Sequence, residues 1–421
     1  MKILSLIGTR PEAIKMAPVI RELARYPDDV ESVICVTAQH REMLDQVLHL
    51  FDIRPDYDLD LMRPGQTLSD LTARLITALD QVIAREQPDW VLVQGDTTTA
   101  MTGALVAFYR RAKVGHVEAG LRTGDRACPF PEEINRRIAD LLGDLYFAPT
   151  SRNRDNLLRE GVPESAILVT GNTVIDALHS MVGRAREKIG STWEGRLDGR
   201  KLILVTAHRR ENFGQPLLEI CRALAALATR YASEVQVVWP VHPNPSVKGP
   251  IYEELGDVPN ILLSSPLDYE TFIGLLSRAH LVLTDSGGLQ EEAPGLAKPV
   301  LVLRDVTERP EAVSAGTVKL VGAAYDPIVR EAATLLDDEE AYARMARAVN
   351  PYGDGQAAGR VVAAIAELLG VGERLPDFAP ESRPADPGAD EPRLSYSLDE
   401  ACLLSFPRRD LTAEQAESAS H

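Results

Sequence analysis

The sequence predicts two doubly wound α/β units that face each other across a cleft. Three observations carry this prediction. From residue 3 onward, short apolar runs alternate with longer amphipathic stretches, which is the pattern of parallel strands joined by covering helices. The alternation pauses in a polar, charge-rich stretch at about 184–200 and then starts again. At 421 residues, 45% of them hydrophobic and 25% charged, the chain is longer than one core usually serves and apolar enough to build two.

In the first unit, strands are expected at 3–7, 32–37, 90–94, 114–117, 145–148 and 167–170. Helices are expected at 11–25, 40–50, 68–85, 97–109, 132–142 and 151–160, the first opened by Pro11, whose fixed φ suits a first helical turn. The second series places strands at 202–206, 235–240, 261–263, 281–284, 300–303 and 318–321. A hinge is expected between 172 and 200, giving units of 1–172 and 173–352, with a helix at about 353–370 returning to the first. From 373 to 421 the periodicity fades and six prolines mix with acidic residues, so a disordered tail is expected. Within it, 395–406 is apolar enough to dock.

The net charge of −17 opposes nucleic acid and anionic membranes as partners, since both need a basic face. No apolar stretch approaches the ~20 residues of a membrane span. The first apolar run is one strand long and meets Gly8-Thr9-Arg10-Pro11, so it reads as a strand and not as a signal peptide. Cys35, Cys128, Cys221 and Cys402 lie far apart without metal-ligand spacing, which fits a reducing cytoplasm and predicts no metal. No G-x-G-x-x-G follows a strand and no G-x-x-x-x-G-K-[ST] occurs, so no redox dinucleotide and no other cofactor is expected. The run Gly353 to Gly359 reads as a helix start or a crossover.

In this fold class ligands bind at the carboxyl ends of strands. Thr284-Asp285-Ser286-Gly287-Gly288 follows a strand and opens a helix that continues through Glu292, so its free backbone N–H groups form an expected phosphate seat. A capped flexible turn is the other reading. His242 and Arg309 follow strand ends of the same half. The first half carries Arg10, Asp96 and Glu118 at its strand ends, with Lys15 one turn into the first helix. Glu132 follows Pro129-Phe130-Pro131, with Asn135 and Arg136 within a turn of it. Asp96 can also be read as a helix N-cap, and Glu132 as an acid favoured by the helix dipole. His208-Arg209-Arg210-Glu211 follows the strand that opens the second half, suited to anions or to proton transfer, with a solvated charge run as the alternative.

Taken in order, these runs resemble the non-hydrolysing UDP-N-acetylglucosamine 2-epimerases. The resemblance rests on Gly8-Thr9-Arg10-Pro11-Glu12-Ala13-Ile14-Lys15, Gly95-Asp96-Thr97-Thr98, His116-Val117-Glu118-Ala119-Gly120-Leu121-Arg122, Pro131-Glu132-Glu133, Gly171-Asn172-Thr173, His208-Arg209-Arg210-Glu211, and Thr284 to Gly288 through Glu308-Arg309-Pro310. It covers residues 1 to about 370.

The resemblance implies a GT-B architecture of two Rossmann-like domains and reversible conversion of UDP-N-acetylglucosamine to UDP-N-acetylmannosamine, an isomerase reaction. It implies elimination of UDP to a 2-acetamidoglucal followed by re-addition, in a cytoplasmic homodimer that supplies cell-surface polysaccharide precursors. Asp96, Glu118, Glu132 and His208 are the implied catalytic residues, with Lys15 assisting. Arg10, His242, Ser286, Gly287, Glu292 and Arg309 are the implied UDP-side residues. A second UDP-N-acetylglucosamine as activator is implied at Gln39, His40, Arg41, Arg209 and Glu211, although Glu42 and Gly65 depart from the pattern. A GT-B glycosyltransferase, a hydrolysing epimerase and a non-catalytic UDP-sugar sensor are the competing readings.

Overall fold

The computed structural model describes residues 1–37, 41–63, 65–197 and 199–380. Seven strands form the first sheet: β1 (Lys2–Ile7), β2 (Glu31–Val36), β3 (Tyr57–Asp58), β4 (Trp90–Gln94), β5 (Lys113–Val117), β6 (Leu145–Ala148) and β7 (Ile167–Val169). Their order is β3-β2-β1-β4-β5-β6-β7, and each pairing is parallel. Six strands form the second sheet: β8 (Lys201–Thr206), β9 (Val235–Pro240), β10 (Ile261–Ser264), β11 (Ala279–Thr284), β12 (Val300–Val302) and β13 (Val318–Leu320). Their order is β10-β9-β8-β11-β12-β13, again all parallel.

The order of each sheet reverses at one place, between β1 and β4 and between β8 and β11. The loops leaving those strands diverge there, which opens the crevice where such sheets bind ligands. The loops after β1 and β4 carry Arg10 and Asp96, and those after β8 and β11 carry His208 and Ser286.

Central strands buried on both faces require near-continuous apolar runs, and every residue of Trp90–Gln94 and of Leu145–Ala148 is buried. The helix Arg10–Leu23 begins where the Thr9 hydroxyl accepts the Glu12 N–H, with Pro11 in its first turn. It presents Ala13, Met16, Ala17, Val19, Ile20 and Leu23 to the first core. The closing helix Ala357–Leu369 packs on that same core through Ala358, Val361, Val362 and Ile365.

Two details are added to the expected plan and one expectation is corrected. The charge-rich stretch beginning at 184 continues a helix, since Thr173–Thr192 is one helix followed by Glu194–Leu197. Its apolar positions recur at helical spacing: Val174, Ala177, Leu178, Met181, Ala185 and Ile189 are buried, and the charges occupy the other face. Its beginning packs into the first core and its later turns into the core on one face of the second sheet. The strand β3 was not expected, since two residues carry no periodicity. The expected loose tail does not begin at 373, because the Arg374 guanidinium donates to the Ile167 carbonyl at 2.9 Å and the Phe378 N–H to the Val169 carbonyl at 2.6 Å, with the Phe378 ring buried. The remainder of that segment, 381–421 with the apolar run at 395–406, lies outside the described residues.

Candidate active site

A cavity of about 640 Å³ opens at the switch point of the first sheet, lined by Lys15, Gln94, Asp96, Glu118, Glu132, Asn135, Arg136 and Arg309 among others. Its volume lies within the range of small-molecule sites. Glu118 follows β5 in a left-handed conformation, φ +68°, which few non-glycine residues adopt without a surrounding structure that enforces it. Its carboxylate accepts from Lys15 Nζ at 2.5 Å and from the Gln94 side-chain amide. Burial pushes the Glu118 pKa up. The charges of Lys15, Arg309 and Arg136, with the Lys15 hydrogen bond, outweigh burial and hold it below the usual carboxylate range. Burial would likewise lower Lys15, but the Glu118 and Glu291 charges raise it and keep the ammonium protonated.

Asp96 does not cap the following helix. Thr97 does, its hydroxyl accepting the Ala100 N–H and donating to Glu12 at 2.7 Å. The Asp96 carboxylate is instead paired with the Arg136 guanidinium, and its carbonyl accepts from Asn135 Nδ2 at 3.0 Å. Both partners come from the helix Glu132–Leu142, whose N-terminus has no side-chain cap. Glu132 lines the cavity, and its Oε2 is buried without a hydrogen-bond partner among the described residues.

Arg309 enters the cavity from the second half. Its Nε donates to Glu291 at 2.7 Å, and the other Glu291 oxygen accepts from Asn172 Nδ2 at 2.7 Å. Asp285, fully buried, accepts the N–H groups of His208 and Arg209, each at 2.8 Å, and Asn212 Nδ2 at 3.0 Å, so it fixes the loop after β8. The His208 and His242 rings stack with centroids 5.5 Å apart. Burial lowers the His208 pKa, with His242 and Arg209 acting in the same direction and nearby Asp285 opposing. Gly287 lies against Glu308, Arg209 and Arg309, so that a Cβ built there would stand 2.8 Å from Glu308 Oε1. The expected seat is narrower than its sequence implied, since the Ser286 N–H is taken by the Thr284 hydroxyl at 2.9 Å. The helix beyond it, Leu289–Gly295, is short.

Arg10 is exposed beside Tyr269 and Glu292, whose side chains are 3.1 Å apart. Burial raises the Glu292 carboxyl to about 7, with Tyr269, Lys15 and Arg10 opposing. Of the residues expected at an activator site, Gln39 and His40 lie outside the described residues, as does the side chain of Arg41. Arg209 pairs with Glu308 at 3.3 Å, and Glu211 with Arg304 at 2.6 Å.

Residues 21–366 match the family model described as UDP-N-acetylglucosamine 2-epimerase. The UDP-N-acetylglucosamine 2-epimerase of Escherichia coli K12 is 54% identical over 371 residues, 87% of this chain and 98% of that one. The chain therefore belongs to the UDP-N-acetylglucosamine 2-epimerase family. It is accordingly an isomerase. The Neisseria meningitidis UDP-GlcNAc 2-epimerase, solved bound to UDP-GlcNAc, is 48% identical with a TM-score of 0.81, covering 87% of this chain and all of that one. A Staphylococcus aureus relative solved with UDP is 45% identical with a TM-score of 0.82, over 90% of this chain and all of that one. These 2-epimerase structures carry the GT-B arrangement of two parallel sheets seen here. Among the described residues no helix is long and apolar enough to cross a membrane.

In this member of the 2-epimerase family the structure brings Lys15, Asp96, Glu118, Glu132 and Arg309 to one cavity. It sets His208, His242, Ser286 and Gly287 on the second sheet's edge of the cleft. Three further residues, Glu12, Gln94 and Glu291, escaped sequence reasoning as site groups, and Arg136 was seen only as a neighbour of Glu132. Glu12 is 1% exposed, accepts the Gly8 N–H at 3.1 Å as well as Thr97, and is raised by burial to about 7. Gln94 and Arg136 hold the Glu118 and Asp96 carboxylates, and Glu291 holds Arg309. Glu12 and Glu291 sit inside motif runs, where a second acid beside a recognised residue was the available signal.

Proposed function

We propose that the chain interconverts UDP-N-acetylglucosamine and UDP-N-acetylmannosamine without hydrolysis, by elimination and re-addition of UDP. The observation that carries this reading is the convergence of three carboxylates, Asp96, Glu118 and Glu132, with Lys15 and Arg309 around one cavity. Carbon 2 of the sugar has no adjacent carbonyl to acidify its proton. Removing that proton while the C1–O bond to UDP breaks leaves a C1=C2 double bond, the 2-acetamidoglucal, and the bonding electrons of C1–O depart with the diphosphate. The reverse step re-forms C1–O and delivers a proton to the other face of carbon 2.

Inversion through a planar carbon needs proton-transfer groups addressing both faces. Asp96 and Glu118 take those roles, each already an ion-paired carboxylate, and Glu132 with its unpartnered oxygen is the third acid. Lys15 steadies charge near the sugar. The departing diphosphate is held by Arg309, Arg10 and His242 with Ser286 and Gly287, and Glu292 and His208 complete that side. Retention of UDP distinguishes this reaction from hydrolysis, and closing of the two halves on the ligand supplies it. The product serves as a precursor for cell-surface polysaccharide. Exposed Phe108, Tyr109 and Leu141, on two helices that pack together, support a homodimer.

Reaction of UDP-N-acetylglucosamine alone in D2O is the test. Deuterium is expected at carbon 2 of both epimers, and epimerisation without exchange would exclude elimination. Release of free N-acetylmannosamine would instead indicate a hydrolysing enzyme. Asp96→Asn is expected to bind UDP and to lose turnover.

A further inference from the structure

His116, on β5 two residues before Glu118, is fully buried behind the cavity. Its Nδ1 lies 2.6 Å from Asp140 Oδ1, and its Nε2 lies 2.8 Å from the carbonyl oxygen of Gly95. A carbonyl oxygen can only accept. Asp140 is an acceptor as well, because its other oxygen takes Arg122 Nη2 at 2.7 Å and the Gly120 N–H at 3.2 Å. A neutral imidazole donates through one nitrogen only and would set a lone pair against one of these two oxygens. The doubly protonated ring satisfies both.

The Gly95 carbonyl belongs to the turn that delivers Asp96. Gly95 has φ +70°, and Asp96 leaves it with its carbonyl bound by Asn135 and its carboxylate by Arg136. The helix Glu132–Leu142 thus holds this turn directly through Asn135 and Arg136 and, through Asp140, a third time by way of His116.

We propose that His116 is a positioning residue carried as an imidazolium across the active pH range, clamped by Asp140, which fixes the Gly95 carbonyl and thereby aims the Asp96 carboxylate into the cavity. The assignment rests on Asp96 acting in proton transfer. The charged groups facing the ring are Asp140 on the helix and Arg122 on the segment after β5. Burial and Arg122 would lower the ring's pKa, and Asp140 with the Gly95 contact overrides both and raises it. As pH rises through that raised value the proton leaves Nε2, since Nδ1–H remains bound by Asp140. The Gly95 carbonyl then faces a lone pair, and the Asp96 turn is released.

Imidazole 15N NMR of the full chain, with the His116 resonances identified by their loss in His116→Gln, reads the protonation state directly. Both ring nitrogens are expected to be protonated throughout the active pH range; one unprotonated nitrogen at neutral pH overturns the proposal. The second arm uses Asp140→Asn, checked for folding by thermal melting. It removes the countercharge and is expected to move the alkaline limb of kcat downward by about 1–2 pH units with KM unchanged. A parental profile in a folded Asp140→Asn enzyme overturns the positioning role. Asp96→Asn run alongside separates the two readings: full turnover there removes Asp96 from the chemistry, whereas an inactive Asp96→Asn beside an unshifted Asp140→Asn condemns the His116 assignment alone.

Discussion

Arg309 and Glu291 form an ion pair, Nε to Oε1 at 2.7 Å, and the remaining oxygen of Glu291 is bound to Asn172 at the junction between the two sheets. One buried carboxylate therefore joins the connection between the halves to a guanidinium that also lines the cavity.

Glu291→Gln keeps the shape of this contact and removes its charge. Arg309 then loses its nearest countercharge and keeps the more distant Glu308, Nη1 to Oε1 at 3.6 Å, so the variant is expected to lose about 2 kcal/mol and to melt earlier than the parent. The diphosphate of UDP supplies the missing countercharge in the proposed site. Added UDP should accordingly raise the melting temperature of the variant by more than it raises that of the parent. Equal shifts measured by differential scanning fluorimetry would separate Arg309 from the diphosphate.

Lys15→Met tests the clamp on Glu118. With the ammonium gone, burial acts on Glu118 with less opposition, so its pKa rises. The acid limb of kcat/KM is expected to move toward neutral pH, and turnover to fall about 100-fold as one charged donor is lost. An acid limb that stays in place would show that Glu118 does not titrate in the free enzyme.

Glu12 makes stability depend on pH. Its folded pKa of about 7 lies above that of an unfolded glutamate, so its contribution is fully present below the unfolded value and is lost as pH rises through the folded one. Glu12→Gln removes this loss. Relative to the parent, the variant should gain about 3 kcal/mol between pH 4 and pH 8, read from urea unfolding at a series of pH values. A constant difference across that range would mean that folding does not shift the Glu12 pKa.

Two glycines should respond oppositely to alanine. A Cβ on Gly8 would stand 2.2 Å from Thr99 Oγ1, a hydroxyl already bound to Thr37 at 3.0 Å. Gly8→Ala is expected to cost about 1–3 kcal/mol and to displace the loop that carries Asp96. Gly183 lies in the helix Thr173–Thr192, and a Cβ added there would meet nothing within 4 Å, so Gly183→Ala should stabilise by about 0.5–1 kcal/mol. Thermal melts of the pair check both signs.

The elements legible in the sequence are those whose environment is uniform along their length. Trp90–Gln94, Leu145–Ala148 and residues 235–239 are buried through the sheet interior and stand out as apolar runs. The helix after Asn172 was obscured because Arg184, Arg186, Glu187 and Lys188 crowd its second half and only every third or fourth residue meets a core. Groups at strand ends were readable in the same way, since a parallel sheet places Arg10, Asp96 and Glu118 at one mouth, and the second sheet places His208 at its own, whatever their partners are. The partnerships were not readable. Asp96 meets Arg136 across 40 residues, Glu291 meets Asn172 across 119, and His116 meets Asp140 across 24. Nothing local in the chain encodes those pairings, and they decide which carboxylates remain available to a ligand.

The helix Thr173–Thr192 lends side chains to the apolar interiors beneath both sheets. Losing either interior strips the helix of half its cover, and the helix in turn withdraws support from the other. The two sheets are thus thermodynamically bound to one another, and the chain should come apart in a single cooperative transition although it is built from two architectural halves.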